Sequence, residues 1–271
     1  MTSATITGAP TTTPRGPTRL GMRGLPTLIA SEARLFLRDF GNLFFVLLFP
    51  TVLLVGMGFA IPGMRDPITD AGAWTGLRVV DLYLPVMFCV AAATAGLTAL
   101  PAYLAGYRET GVLRRMSTTP MRPAGVLLAQ VVVQLGGVIV GSLLALLAGA
   151  LVFGTPMPAR PLVALLAFLF TVAAMFGIGL LIGGLANKGT TASGIGMLVY
   201  FPMLFTAGLW TPGPVMPETL EKISAYTPLG AGSQAMTDAW YGGEFPMLQL
   251  AVMAVWAVAL FLVAARTFRW N

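Results

Sequence analysis

Six apolar runs, each near the roughly 20 residues that cross a ~30 Å hydrocarbon core as a helix, set the limits on what this chain can become. They fall at about 43–61, 82–105, 124–153, 162–186, 193–211 and 247–265. A backbone in lipid must satisfy its own polar groups, so runs of this length are expected to be bundled helices. Composition agrees: 56% of residues are hydrophobic and only 10% charged, where soluble domains run near a quarter charged. The expected fold class is therefore an all-α polytopic membrane protein with six transmembrane helices. The third run is long enough to tilt or project, and the fifth is interrupted by Pro202 and bounded by Pro212.

Charge in the short loops predicts the orientation. With both termini inside, the inside segments hold twelve basic residues, including Arg34, Arg38, Arg108, Arg114, Arg115, Arg122 and Lys188, against Glu32, Asp39 and Glu109. The outside segments hold Arg65, Arg78, Arg160 and Lys222 against seven acids. Both termini are thus expected in the cytoplasm, and the pI near 10.0 is assigned to topology rather than to nucleic acid. Residues 1–20, rich in Thr and Pro, lack a signal peptide's apolar core and are expected to form a disordered cytoplasmic tail ahead of a membrane domain at 21–271.

Residues 25–41 carry Leu25, Leu28, Ile29, Ala33, Phe36 and Phe40 at helical spacing, with Glu32, Arg34, Arg38 and Asp39 largely off that face. This predicts an amphipathic interfacial helix, its arginines reaching headgroups while Leu and Phe enter the acyl boundary. A cytosolic extension of the first span is the alternative. Between the second and third runs lies a basic stretch, Tyr107 to Pro123, with Arg108, Glu109, Arg114, Arg115 and Arg122. It suits either a short helix docking onto a partner in water or a loop that merely sets topology. From Phe205 to Gly243 the chain is too apolar for a solvated loop and too broken for a span. Pro212, Pro214, Pro217 and Pro228 punctuate it, and Leu220, Ile223 and Trp210 suit short helices at or dipping into the outer face, or a surface loop with aromatic anchors.

These segments resemble the permease subunits of type 2 ABC transporters, the exporter class for drugs, lipids and polysaccharides. The resemblance rests on Arg108, Glu109, Gly111, Thr119 and Pro120 in the basic stretch, and on Phe205, Gly208, Trp210, Pro212, Met216, Pro217, Ile223 and Pro228. It covers about residues 25–265. It implies a cytoplasmic coupling helix over Glu109 to Pro120, including Leu113 and Met116, that docks on a separate ABC ATPase. It also implies a connecting helix at 25–41, re-entrant outer helices between spans five and six, and a second permease copy enclosing the path, with two ATPase copies carrying ATP and Mg. The Arg114-Arg115 pair is more basic than that pattern leads one to expect.

The residues themselves add exclusions. No G-x-x-x-x-G-K-[ST] occurs, so this chain is not expected to be an enzyme or to hold a nucleotide cofactor. There is no His, and the single Cys89 lies in an apolar run, which offers no Cys/His metal cluster. The six runs as drawn hold no ionisable Asp, Glu, Lys, Arg or His, which weighs against a gradient-driven secondary carrier and an intramembrane hydrolase; a non-transporting scaffold is a third alternative. On the third run Gln130, Gln134, Gly137, Gly141, Ala145 and Ala148 share a face, and Gly179 with Gly183 forms a G-x-x-x-G on the fourth. Close helix packing is the main reading, with cargo contact by Gln130 or Gln134 the other. Phe45, Phe49, Tyr200, Phe201 and Phe205 are candidates to line a path for a lipophilic or amphipathic cargo, or to face lipid and neighbouring helices.

Overall fold

A computed structural model describes residues 24–69, 75–112, 123–213 and 216–267. Helices make up the architecture, with no strand among the described residues beyond one bridge between Pro67 and Arg78. In chain order they are α1 (Leu25–Arg38), α2 (Phe40–Ala60), α3 (Val79–Glu109), α4 (Pro123–Ala148, continued by a π-helical turn at Gly149–Phe153) and α5 (Pro161–Leu185). There follow α6 (Gly189–Thr206), α7 (Glu218–Ser224), α8 (Pro228–Tyr241) and α9 (Met247–Thr267). One end of the bundle, here called proximal, carries α1, the end of α3 and the α5–α6 corner. The distal end carries the start of α3, the α4–α5 connection, α7 and α8. The tail at 1–20 and Leu113, Arg114, Arg115, Met116, Thr119 and Pro120 lie outside the described residues.

Five of these helices, α2, α3, α4, α5 and α9, are long and apolar enough to cross a membrane, so the chain is an all-α polytopic membrane protein. The sixth expected span corresponds to α6, which has 18 residues and opens on the weakly apolar Gly189-Thr190-Thr191-Ala192-Ser193, a start that keeps it out of that group. Pro202 sits inside α6 without ending it.

The centre of the bundle is α3. Its residues from Val80 to Cys89 are buried except for the partly covered Phe88. Small residues let neighbours approach closely, and the backbone of α3 helps. A π-helical turn at Thr94–Ala99 sends the Leu100 N–H to the Ala95 carbonyl, while Pro101 has no N–H to offer the carbonyls before it. Those carbonyls face glycines: a Cβ on Gly179 of α5 would lie 1.9 Å from the Gly96 oxygen, and one on Gly196 of α6 would lie 2.0 Å from the Leu97 oxygen. The glycines on α5 and α6 are therefore packing devices, as small residues are in other helix pairs in lipid. Likewise α8 rests on α5, where a Cβ on Gly232 would meet Thr171 Oγ1 at 2.2 Å.

Three expectations need correction. The second span is 31 residues long rather than 24, so it includes Asp81, Arg108 and Glu109 and is not free of charge. At ~1.5 Å per residue it is roughly 46 Å long, which carries both charged ends past a ~30 Å core. The interfacial helix ends at Arg38 rather than at residue 41, and the break falls on Asp39 (φ −86°, ψ 90°). Its faces also differ from the periodic reading: Glu32, assigned to the polar face, is only 7% exposed, whereas Phe40, assigned to the apolar face, is 78% exposed. Glu32 is drawn in by a tyrosine of α3, and Phe40 already belongs to the next helix.

Candidate functional site

Between α2, α3 and α6 lies an open groove of about 940 Å³. Its walls are aromatic. Phe45 and Phe49 come from α2, four residues apart with ring centroids 5.6 Å from each other, and Tyr200 and Phe201 come from α6 at 5.7 Å. Trp210, just beyond α6, borders the same space. The floor is α3, where Thr94 and Thr98 stand at the π-helical turn. Thr94 Oγ1 donates to the Val90 carbonyl (2.7 Å) and shares a 2.9 Å hydrogen bond with the Tyr200 hydroxyl, which ties α6 to α3 under the aromatic wall. The Thr98 hydroxyl donates to the Thr94 carbonyl at 2.5 Å. Buried hydroxyls of this kind need partners, and these find them in the backbone.

The proximal mouth of the groove is polar. Asp39 caps α2, its Oδ1 accepting from the Asn42 N–H at 3.1 Å. Its Oδ2 accepts from the Tyr103 hydroxyl at 2.6 Å, and one turn further along α3 the Tyr107 hydroxyl donates to Glu32 Oε2 at 2.5 Å. Tyrosines four apart on α3 thus meet carboxylates seven apart on α1 and its end, both spacings that return to one helix face. The two acids sit in different surroundings. Burial pushes the Glu32 carboxyl above its ordinary range, against the lowering pull of Tyr107. Asp39 is held below its ordinary range, first by Tyr103 and then by the Asn42 N–H.

Immediately after Tyr107 the chain clamps the α5–α6 corner. Arg108 Nη1 donates to the carbonyls of Gly184 (2.8 Å), Ala186 (3.2 Å) and Gly183 (3.4 Å), the free acceptors at the end of α5. Glu109 Oε2 accepts from the Gly189 N–H at 3.0 Å, at the start of α6. Cation and anion therefore stand at the helix ends whose dipoles favour them. Arg108 is half-buried by these bonds, whereas Glu109 stays exposed. Gly111 follows with φ +70°, a left-handed turn that redirects the backbone after α3.

Gln130 and Gln134 do not reach the groove. They are 3% and 0% exposed on α4, on the face where Gly137 meets Val46 and Phe36 and Gly141 meets the Val46 carbonyl. Gln130 Oε1 and both polar atoms of the Gln134 amide have no hydrogen-bond partner among the described residues. Phe205 is not part of the lining but lies 6.1 Å from the Trp210 ring. On α1, Arg34 and Arg38 are both exposed, and neither lines the groove.

At the distal end Pro217 caps α7, a seven-residue helix whose Ile223 is 55% exposed and whose Leu220 is half-buried. Pro228 starts α8, whose Leu229, Ala231, Ala235, Met236 and Ala239 are completely buried among α3, α5 and α9. Pro212 is buried in the link before them. A clasp holds this end. Arg78 pairs with Asp81 (2.7 Å) and donates to the Phe153 carbonyl (2.6 Å), and the Thr155 hydroxyl donates to Asp81 at 3.0 Å. From α8 the Tyr241 hydroxyl reaches the Asp81 carbonyl at 2.7 Å and the Trp240 indole N–H the Pro156 carbonyl at 2.9 Å. Neither Glu32, Tyr103 and Tyr107 nor this clasp was identified from sequence. The four-residue step between two tyrosines on a span is the one signal that pointed to the first.

A bundle of this kind, with five helices long and apolar enough to cross a membrane and an apolar groove open to one side, is that of a polytopic membrane protein. The family model described as "ABC-2 type transporter" matches residues 23–241, and the chain belongs to that family. The family is one of membrane subunits and implies an ABC ATPase as partner. No curated protein matches the chain.

Proposed function

We propose that the chain is the permease subunit of an ATP-driven exporter that moves a lipophilic or amphipathic compound, such as a drug, antibiotic, lipid or lipid-linked glycan, out of the cell. The observation that carries this is the open groove walled by Phe45, Phe49, Tyr200 and Phe201, since an apolar lining accepts cargo of that class and a one-sided opening calls for a second subunit to close it. Two copies face each other across it, and two ATPase subunits bind ATP and Mg on the proximal side. That side is cytoplasmic, with both termini, and α6 completes six crossings of the plasma membrane.

Force enters through residues 108–120. Arg108 and Glu109 join that segment to the α5–α6 corner, so displacement of the coupling segment moves α3, α5 and α6 together. Cargo release requires that the two conformations of the groove bind it with different free energies, and ATP-driven closure of the partner supplies the difference. The test uses the purified permease with its partner ABC ATPase, in proteoliposomes. Arg114→Ala with Glu109→Ala is expected to lower cargo-stimulated ATP hydrolysis by about tenfold while basal folding is retained. Unchanged stimulation removes the coupling role, and cargo movement driven by a pH or sodium gradient without ATPase removes the export mechanism.

A further inference from the structure

The groove has a charge of its own. Of the described residues that line it, Asp39 is the single charged one, and no Lys or Arg is among them. Of the described cations nearby, Arg38 is exposed and outside the lining, and Arg108 is bonded to the carbonyls of α5. The carboxylate is fixed rather than loose. Oδ1 is held by the Asn42 N–H and Oδ2 by the Tyr103 hydroxyl, and the carboxylate, which is exposed, keeps acceptor capacity for a further donor or a cation. Tyr103 and Asn42 keep it anionic, since both favour the charged form.

Beyond this carboxylate, towards the distal end, come five aromatic rings: Phe45, Phe49, Tyr200, Phe201 and Trp210. Aromatic faces attract cations through their quadrupole, most strongly where water is displaced. A neutral lipophile would gain from the rings alone, and a lipophilic anion would meet the carboxylate as a like charge. We infer that the groove selects lipophilic cations, holding the apolar body on the aromatic wall and the positive charge at the Asp39 end. This rests on the export reading for its consequence, but binding itself needs neither ATP nor the ATPase.

The test compares two ions of nearly equal shape, tetraphenylphosphonium and tetraphenylborate, by equilibrium dialysis against the full chain in uncharged detergent. The cation is expected to bind about tenfold more tightly than the anion. Asp39→Asn keeps an acceptor for Tyr103 and remains a good helix cap, so it is expected to erase the preference without unfolding the protein. Asn42→Asp, which adds a carboxylate one turn along the lining, is expected to strengthen cation binding. Phe45→Ala with Phe201→Ala is expected to weaken the cation by about tenfold while the melting transition persists. Equal binding of the two ions, or an unchanged ratio in both Asp39→Asn and Asn42→Asp, overturns the inference. So does failure of both ions to bind, the result if a second copy fills the groove in the resting state. Cation binding that is intact while ATP-driven transport is absent sinks the export reading instead.

Discussion

The distal and proximal ends of the bundle are tied by different chemistry. At the distal end the donors are Arg78, Thr155, Trp240 and Tyr241, and three of the acceptors are backbone carbonyls. None of these donors gives up its proton near neutral pH. At the proximal end two tyrosines donate to the carboxylates Glu32 and Asp39, whose titration is shifted in opposite directions. The contrast suggests a division of labour: a distal clasp that holds its geometry and a proximal latch, next to the coupling segment, that responds to its surroundings.

The largest effect should come from breaking the distal clasp. Asp81→Ala leaves Arg78 without its counter-ion and Thr155 without its acceptor, at a site where the aspartate side chain is 5% exposed. A loss of about 3 kcal/mol is expected, read as a lower midpoint in denaturant unfolding of the detergent-solubilised protein. A change below about 1 kcal/mol would mean that the clasp is not a fixed point.

At the proximal end Tyr107→Phe should cost about 1.5 kcal/mol, because the buried Glu32 loses its donor. The pH dependence gives a sharper reading. The folded protein holds the Glu32 proton to higher pH than the unfolded chain does, so this residue's contribution is full below the ordinary value of 4.5 and falls as pH rises from there through the raised folded value. Tyr107→Phe removes the group that favours the charged form, so the fall should extend to higher pH. Asp39 runs the other way: its contribution is present above its ordinary value of 3.8 and is lost as pH falls through the depressed folded value. Melting temperature against pH for wild type and variant checks both signs, and coincident profiles would remove the latch.

Trp240→Phe tests the clasp more gently. The ring stays against Phe88 while the bond to the Pro156 carbonyl goes, for an expected loss of about 1 kcal/mol with no change in pH profile. The smallest effect should be Lys222→Ala on α7, whose partner Glu218 is equally exposed. Less than about 0.5 kcal/mol is expected in thermal unfolding. A larger loss would show that α7 is covered in the native state.

Much of the fold was legible because apolar length is a direct physical requirement of spanning lipid. The runs drawn at 124–153 and 162–186 lie within a few residues of α4 and α5, and Gly179 with Gly183 packs on α3 as small residues spaced by four suggest. Periodicity failed where one polar contact outweighed the pattern. Glu32 lies on the wrong side of α1 by hydrophobic spacing, yet Tyr107 makes its burial tolerable. Arg108 reads as exposed because charges in apolar chains usually meet water, but it is half-buried on the carbonyls at the end of α5; Glu109 is exposed as its charge suggests and also accepts from the Gly189 N–H. The groove was legible only in part: Phe45, Phe49, Tyr200 and Phe201 meet in it, whereas Gln130 and Gln134 are packed behind α1 and α2.

By itself the sequence determined that this protein lives in a membrane, roughly where its helices begin and end, and that its family is one of transport subunits, since each depends on local length, composition or motif. Which aromatics share a groove, that α8 is buried while α7 is exposed, and that Asp39 is the one anion among the described residues lining that groove were decided by tertiary structure. Those facts depend on how separate helices approach one another. That approach is set by glycines against free carbonyls and by tyrosines against carboxylates, pairs that only the folded chain brings together.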